Sequence, residues 1–461
     1  MPGGTVAAAS SIDASRRSGQ AAERWVNARQ QCRVISVICF ACPGFFNALQ
    51  GLGGAGMRST VAADAANVAL YLSFAVAGFF GGSLFNLLGV RKLIVSGSAT
   101  YCLYAAAAYF AKDSDTIQGY SVFVLAGALL GVGAALLWTA QGAVMMAYAA
   151  PEERGGYIVE FWLIFNMGGF LGGLLQFIIN YSGRETSGSN DWTYLLFVCV
   201  MISGTAIGWI MIAPPDRVMR SDGVPVIVPS AKPVGKEIVD TVAVVKEKAM
   251  VLLAPLFLGT NFYYTYVFNC VNASTFSARS RGLNSALYWV SQMAGAMAIG
   301  RMLDQAKLGV RTRALRALWW LVTGGTGVYI YGAVMEESLL TVVRQGTPLD
   351  SVSDAADSWS VVLLLVAYGF LESVLQAYCY WLLGILALGD ASVSAKYTGF
   401  YKSAQSLGAA LGWALDTPAI GLSCRSQFWL CWLVFVVGVL PVYFVIHNTM
   451  RTAGERSSAD R

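Results

Sequence analysis

Long apolar runs separated by short polar segments dominate the pattern along the chain. A helix needs roughly 20 mostly apolar residues to cross a bilayer, and no run shows the strict alternation of a membrane β-barrel strand. The pattern predicts an all-α polytopic membrane protein with twelve transmembrane helices, over residues 34–57, 66–88, 93–111, 120–149, 157–180, 192–213, 249–272, 283–303, 314–335, 359–387, 394–415 and 426–448.

The longest internal polar segment divides these runs into two sets of six. It carries five prolines and ends in a charged stretch that we expect to form a surface helix. The predicted domains are an N-terminal tail (1–33), an N-terminal six-helix bundle (34–213), a linker (214–248), a C-terminal six-helix bundle (249–448) and a C-terminal tail (449–461).

One short signature occurs twice, after the second and the eighth run. In each copy, Gly-x-x-x-Asn or Gly-x-x-x-Asp leads to Leu-Gly-Val-Arg, with a two-residue insertion in the second. Two copies half a chain apart indicate a duplicated membrane unit, as in many secondary transporters. The candidate gating-loop residues are Gly82, Asn86, Gly89, Arg91, Lys92, Asp304, Gly309 and Arg311.

Small and polar residues recur at every third run. Runs 2, 5, 8 and 11 are rich in Gly and Ala, which predicts close helix packing. Runs 1, 4, 7 and 10 carry polar groups that are costly against lipid, so we expect them to face a cavity. The alternative is ordinary hydrogen bonding between helices. The cavity candidates are Asn47, Gln50, Trp138, Gln141, Asn261, Tyr264, Asn269, Glu372 and Gln376.

Two charges lie inside the predicted membrane region. Glu372 is near the middle of run 10, and Lys402 is in run 11. An unpaired charge there costs at least about 2.5–3.5 kcal/mol. We expect Glu372 either to pair with Lys402 or to take up a proton during transport. A static pair that orients the two helices is the alternative.

The charge distribution predicts the orientation. Only 12% of the residues are charged, and the net charge is +5. With both termini in the cytoplasm, the cytoplasmic segments hold 23 of the 31 Lys and Arg residues and the opposite side holds seven. This asymmetry follows the positive-inside rule. The basic charge therefore reflects topology, and we expect no nucleic-acid partner. Plasma membrane and endomembrane both remain open.

The remaining motifs point away from catalysis. The chain has a single His, His447, and no Ser-His-Asp, P-loop or paired-Cys arrangement, so we expect no enzyme, no cofactor and no metal site. The nine cysteines are expected to be small packing residues. Residues 1–33 are polar, and Asp13 and Glu23 argue against a mitochondrial presequence, so no targeting leader is expected.

The repeated signature resembles a motif of the major facilitator superfamily, G-x-L-x-D-x-x-G-R-R/K, with Asn86 in place of the Asp. That replacement weakens the charge interaction that the motif is thought to use in gating. The chain further resembles the Unc-ninety-three family, particularly its fungal members. The matching strings are Gly51–Gly56, Leu137–Gly142, Asn261–Tyr266, Tyr380–Gly384 and Gly399–Ser406.

The resemblance implies two six-helix bundles around a central cavity with alternating access, and it fixes no substrate. The first hypothesis is a secondary transporter of a small solute, an ion or an organic metabolite, with Glu372 and Lys402 as coupling candidates. The second is a membrane adaptor that regulates or escorts an ion channel or receptor, because animal relatives include such proteins. The expected partners are the lipid bilayer, a small solute and, for an adaptor, another membrane protein.

Overall fold

The structure is a computed structural model that describes residues 25–51, 60–111, 116–181, 191–226, 232–305, 307–346, 348–388 and 390–459. Within these ranges the chain is almost entirely helical. The predicted run 34–57 extends into 52–59, so its last residues lie outside the described part. The predicted tails lie outside it over 1–24 and 460–461.

Six long helices cover the first half. Helix α1 comprises Ala28–Cys39, a π-helical turn Phe40–Gly44 that contains Pro43, and Phe45–Gly51. Pro43 lacks a backbone donor, which accounts for the local widening of the helix. The others are α2 (Thr60–Phe79 and Gly81–Leu88), α3 (Val90–Ala111), α4 (Ile117–Ala147), α5 (Arg154–Ile179) and α6 (Asp191–Met211).

A short polar connection follows α6. Strand β1 (Val26–Asn27) pairs in parallel with β2 (Val218–Met219), which follows a 3-10 turn at Pro215–Arg217. The expected surface helix is present as the linker helix, Val234–Ala243.

Six long helices cover the second half. Helix α7 comprises Lys248–Phe262 and a π-helical segment, Tyr266–Ala273. The others are α8 (Ala278–Leu303), α9 (Val310–Gln345), α10 (Ala355–Leu386), α11 (Ala391–Asp416) and α12 (Cys424–Ala459). Each of the twelve predicted runs falls on one of these helices, although α9 and α12 continue well past the predicted ends.

Nine helices in the described residues are long and apolar enough to cross a membrane: α1 to α7, α10 and α12. The other three, α8, α9 and α11, are less apolar along their length. As predicted, the described residues are mostly helical and include several helices that could each span a membrane.

The helices of the two halves pack in the same pattern. In the first half, α1 contacts α5 and α6, α4 contacts α2 and α3, and α3 contacts α6. In the second half, α7 contacts α11 and α12, α10 contacts α8 and α9, and α9 contacts α12. The second set is the first with six added to each number. The halves meet mainly through α5 with α8 and α2 with α11.

Small residues make these two contacts possible. A Cβ added at Gly82 would lie 2.5 Å from the Cα of Lys396, and one added at Gly399 would lie 2.7 Å from the carbonyl oxygen of Gly78. On the other side, a Cβ at Gly173 would lie 2.6 Å from the backbone nitrogen of Ala286. The prediction that helices 2, 5, 8 and 11 pack closely is confirmed, and the packing joins the two halves.

The expectation that all nine cysteines are packing residues is wrong for two of them. Cys270 in the π-helical segment of α7 and Cys424 at the start of α12 form a disulfide. The two cysteines are 154 residues apart in the sequence, so their pairing could not be predicted from their spacing. The other seven cysteines are free.

Candidate functional site

A central cavity lies between the two halves. It contains about 610 Å³ of space unoccupied by protein atoms, part of which opens to solvent. Its walls come from α1 to α5 and from α7, α8, α10 and α11. The side chains are mostly apolar or aromatic, with a small polar set formed by Asn47, Asn261, Glu372, Gln376, Lys402 and Gln405.

Six of the nine predicted cavity residues line this space: Asn47, Trp138, Asn261, Tyr264, Glu372 and Gln376. The coupling candidate Lys402 lines it as well. Amide and aromatic residues are thus brought together from four helices that are far apart in sequence.

The other three predicted residues hydrogen-bond between helices and are not among the lining residues. Gln50 donates to Asn67 Oδ1 at 2.9 Å. Gln141 accepts from the hydroxyl of Tyr380 at 3.0 Å, and Asn269 donates to Asp416 Oδ2 at 2.6 Å. For these three, the alternative of interhelical hydrogen bonding describes the structure better.

Glu372 is 1% exposed and accepts four hydrogen bonds. Oε1 accepts from the hydroxyl of Tyr264 and from Gln376 Nε2 at 2.9 Å. Oε2 accepts from the hydroxyl of Tyr288 and from Gln292 Nε2 at 3.0 Å. A carboxylate oxygen in the interior needs such donors in place of water. Neutral groups from α7, α8 and α10 therefore hold this charge.

Lys402 does not pair with Glu372. Its Nζ donates to Gln405 Oε1 at 2.7 Å and lies 4.7 Å from the ring centre of Trp138. The rings of Tyr401 and Tyr380 lie at 4.9 and 5.1 Å. Aromatic faces stabilise a desolvated ammonium by about 2 kcal/mol or more. The ion pair between Glu372 and Lys402, whose static form is the alternative in the sequence analysis, is not formed in the structure.

Several functional candidates escaped the sequence reasoning. Tyr288 and Gln292 were overlooked because α8 was classed as a small-residue helix, although their spacing of four places both on one helix face. Trp162 and Trp289 line the cavity from α5 and α8. Aromatic residues are common in apolar runs, and nothing in the sequence distinguishes these two.

The first copy of the repeated signature, at the end of α2 and the start of α3, contacts the start of α11. Asn86 Nδ2 donates to Ser392 Oγ at 2.8 Å. Gly89 has a φ of +80°, which glycine adopts without strain, and it ends α2 in a tight turn. Arg91 Nε donates to the carbonyl oxygen of Ile212, just beyond α6, at 2.7 Å, and Lys92 is exposed.

The second copy, at the end of α8 and the start of α9, contacts the start of α5. Asp304 Oδ1 accepts from the backbone nitrogen of Gly155 at 2.8 Å. Gly309 has a φ of −59°, so the tight turn of the first copy is not repeated. Arg311 is exposed, whereas Arg313 is buried and donates to the carbonyl oxygen of Leu303 at 2.7 Å. Arg311 is the second residue of α9, as Arg91 is of α3, and a buried cation, Arg313, follows two residues later.

Glu237 supplies a carboxylate next to Asn86. It lies on the linker helix, is 1% exposed, and its Oε2 accepts from Asn86 Nδ2 at 3.0 Å. The same oxygen is 3.3 Å from Nζ of Lys396 on α11. Ser83 Oγ donates to the backbone carbonyl of Glu237 at 3.1 Å. The linker helix thus bridges α2 and α11 and restores the negative charge that Asn86 lacks.

Comparison with known proteins identifies relatives over most of the chain. The family model "Ion channel regulatory protein UNC-93" matches residues 62–330. UNC93-like protein 1 of Arabidopsis thaliana is 37% identical over 425 residues, which cover 91% of this chain and 90% of that protein. UNC93-like protein C922.05c of Schizosaccharomyces pombe is 34% identical over 433 residues, 93% of this chain and 84% of that protein.

Two solved transporter structures share the fold of this chain. The human organic anion transporter MFSD10 superimposes with a TM-score of 0.62 at 13% identity, over 90% of this chain and all of that one. A bacterial homologue of the iron transporter ferroportin, in its outward-facing state, superimposes with a TM-score of 0.61 at 9% identity, over 92% and 99%. At these identities the likeness establishes the fold alone.

Proposed function

The chain belongs to the UNC-93 family, and we propose that it is a secondary transporter that moves a small solute by alternating access. The observation that carries this proposal is the central cavity, which both halves line and which holds a buried carboxylate and a buried ammonium. Solute sites at the interface of two repeats are the rule in such transporters.

The proposed architecture has twelve membrane spans in two six-helix bundles, 34–213 and 249–448, joined by the linker 214–248. The repeated packing of α1–α6 and α7–α12 supports it. The contacts of α5 with α8 and of α2 with α11 are then the surfaces on which the bundles rock. Their glycines allow close backbone contact without interlocking side chains.

The two copies of the signature are the proposed gates at one end of the cavity. Asn86 docks at the start of α11 and Asp304 at the start of α5, so each half holds a helix of the other. Opening this end requires both contacts to separate. Glu237 adds an ion pair with Lys396 that closes the α2 side.

We propose that Glu372 takes up the coupling proton. It is buried, lines the cavity and has no cation within ion-pair distance among the described residues. Its four neutral donors hold the ionised form, and reorganisation of α7 and α8 during transport would withdraw three of them. Proton relays within membranes commonly use such carboxyl groups.

We propose that the linker and both termini lie in the cytoplasm, with the protein in the plasma membrane or an endomembrane. The Lys and Arg distribution supports this orientation. It also places the disulfide Cys270–Cys424 on the opposite side, where disulfides persist.

The second candidate function is an adaptor that regulates or escorts an ion channel or receptor. The observation that favours it is the description of the matching family as an ion channel regulatory protein. An adaptor would use lipid-facing or loop surfaces and would not depend on Glu372. Neither function requires a chemical reaction.

Uptake by the purified protein in liposomes separates the two functions. Radiolabelled ions and organic metabolites are screened against protein-free liposomes. A transporter accumulates at least one solute above this background, and Trp138→Ala in the cavity wall reduces the uptake. If the folded protein accumulates none, while a membrane protein co-purifies with it and binds unchanged to Glu372→Gln, the adaptor is the function.

A further inference from the structure

The two charged side chains of the cavity differ in how many of their hydrogen-bonding positions are occupied. Its carboxylate is fully occupied, because each oxygen of Glu372 already accepts two hydrogen bonds. A solute cation would have to displace these donors, which include the hydroxyls of the half-buried Tyr264 and the buried Tyr288. The carboxylate of the cavity therefore has no acceptor position left for a solute.

Lys402 has capacity left. Its ammonium carries three N–H donors, and Gln405 Oε1 is its one hydrogen-bond acceptor among the described residues. The rings of Trp138, Tyr380 and Tyr401 stabilise its charge but accept no conventional hydrogen bond in its place. The side chain is 3% exposed and lines the cavity. A buried ammonium with spare donors matches an anionic oxygen.

Two indole groups add further donors. Nε1 of Trp162 and Nε1 of Trp289 are buried and have no hydrogen-bond partner within the described part of the chain, and both residues line the cavity. An indole N–H can only donate. Asn261 contributes its amide nitrogen as well, since its oxygen already accepts from Gln376 and Gln405. A buried donor without a partner costs about 1–3 kcal/mol, so these groups favour an acceptor-rich solute.

The rest of the lining fits an apolar body. Phe46, Leu70, Phe74, Leu130 and Phe165 contribute carbon surface to the walls. A small inorganic anion would leave this surface wet. An organic acid would cover it and present its carboxylate to the donors.

From this imbalance we infer that the cavity binds an organic anion with an apolar or aromatic body, whose carboxylate is held by Lys402 and the indole donors of Trp162 and Trp289. This names the solute class of the proposed transporter and rests on that function for transport, but not for binding. Lys402 then selects the solute and Glu372 serves the coupling.

Calorimetric titration of the purified full-length protein tests the solute class. The probes are 4-phenylbutyrate, 4-phenylbutyramide and 4-phenylbutylamine, which share one body and differ in the charge of the head group. The acid should bind at least about tenfold more tightly than the amide or the amine. Tighter binding of the amine, or binding of none of the three, overturns the inference.

Variants locate the binding group. Lys402→Met should weaken binding of the acid at least about tenfold, whereas Lys402→Arg keeps the charge and most of the affinity. Lys248→Met removes an exposed lysine at the start of α7 and should change nothing. Trp162→Phe and Trp289→Phe remove the N–H donor together with part of the aromatic ring, and each should weaken binding roughly two- to tenfold. Full affinity in folded Lys402→Met overturns the inference, and if that variant does not fold, unchanged affinity in both Trp variants does so.

Flux measured beside binding separates this inference from the proposed function. Uptake of the amine that depends on Glu372 would keep the transporter and reject the anion. Tight, Lys402-dependent binding of the acid without uptake of any solute would keep the anion site and reject the transporter.

Discussion

Glu372 shows how a charge can be held inside the membrane region without a counter-ion. Removing an ion from water costs several kcal/mol even after relaxation. Four hydrogen bonds to a charged acceptor offset this, at about 1.5–3 kcal/mol each. Because hydroxyl and amide donors can swing away without leaving a charge behind, this arrangement releases the carboxylate more readily than an ion pair would.

The tyrosine donors can be removed singly. Tyr264→Phe and Tyr288→Phe should each lower the free energy of unfolding by about 1–3 kcal/mol, because a charged acceptor loses a donor. Tyr368→Phe is the matched control, because the buried hydroxyl of this α10 residue has no hydrogen-bond partner among the residues that the structure describes. When unfolding is measured in mild detergent, the free energy of unfolding of this control should equal or exceed that of the wild type. Equal losses in all three variants would mean that ring packing, rather than the carboxylate, is responsible.

At the residue scale, the sequence predicts which side chains carry the buried charges, but not which side chains those charges contact. Glu372 and Lys402 could be selected because charges in apolar runs are costly. Their separation could not be predicted, since it depends on how α10 and α11 are rotated. Tyr288 and Gln292 were missed for the same reason: only the packing of α8 against α10 brings them to the carboxylate.

Among the elements, the linker helix lies at the surface as expected, but it also bridges the two halves through one buried residue. A charged segment predicts a solvated helix, yet Glu237 is buried between α2 and α11. The replacement of the motif's Asp by Asn86 had suggested a weakened gate. The linker helix compensates for it, and a pattern of single residues could not reveal a partner 151 positions away.

Glu237→Gln tests this role of the linker helix. The variant keeps the hydrogen bond to Asn86 but leaves Lys396 with Asp240 alone, at 3.5 Å. Amide hydrogen exchange in Val234–Ala243 should accelerate at least about tenfold, or about 1.4 kcal/mol. Asp240→Asn removes a half-exposed partner and should accelerate it less than about threefold. Equal exchange in both variants would show that the helix is held by its apolar face.

Asp304 gives the second gate a dependence on pH. Burial raises the pKa of its carboxyl, and hydrogen bonds from the backbone nitrogens of Gly155 and Gly156 lower it in part. A raised pKa means that the folded state binds the proton more tightly, so stability is lost as pH rises from the ordinary Asp pKa of about 3.9 through the raised value.

Asp304→Asn should remove this loss and keep an acceptor for Gly155. The difference in unfolding temperature between the variant and the wild type should therefore grow in favour of the variant over that interval and stay constant above it. Measurements from about pH 3.5 to 7 at constant ionic strength give the difference directly. A difference that shrinks as pH rises would contradict the assigned direction.

At the scale of the whole molecule, the described helices of the two halves pack in the same pattern. The duplicated signature in the sequence predicts such a repeat. The two copies of the signature differ in detail: Gly309 lacks the positive φ of Gly89, and a buried cation, Arg313, follows the second copy. These differences between the two copies become apparent only from the packing of the helices. The disulfide likewise depends on the contact of α7 with α12.

Epitope insertion tests the orientation of the whole chain. Gly223 in the linker and Gly421 between α11 and α12 are exposed at turns with positive φ. In cells whose plasma membrane alone is permeabilised, an antibody should reach a tag after Gly223. A tag after Gly421 should be reached in intact cells, or only after full permeabilisation if the protein lies in an internal membrane. Staining of both tags under one condition would contradict the orientation.

The most direct measurement of the central claim is solute-evoked proton flux in proteoliposomes, with wild type beside Glu372→Gln. The matched control is Glu336→Gln, which alters another buried glutamate that accepts from a tyrosine, Tyr266, but does not line the cavity. A proton-coupled transporter predicts flux in the wild type and in Glu336→Gln, and none in Glu372→Gln. Undiminished flux in folded Glu372→Gln, or no flux in the wild type with any solute that it binds, would contradict the claim.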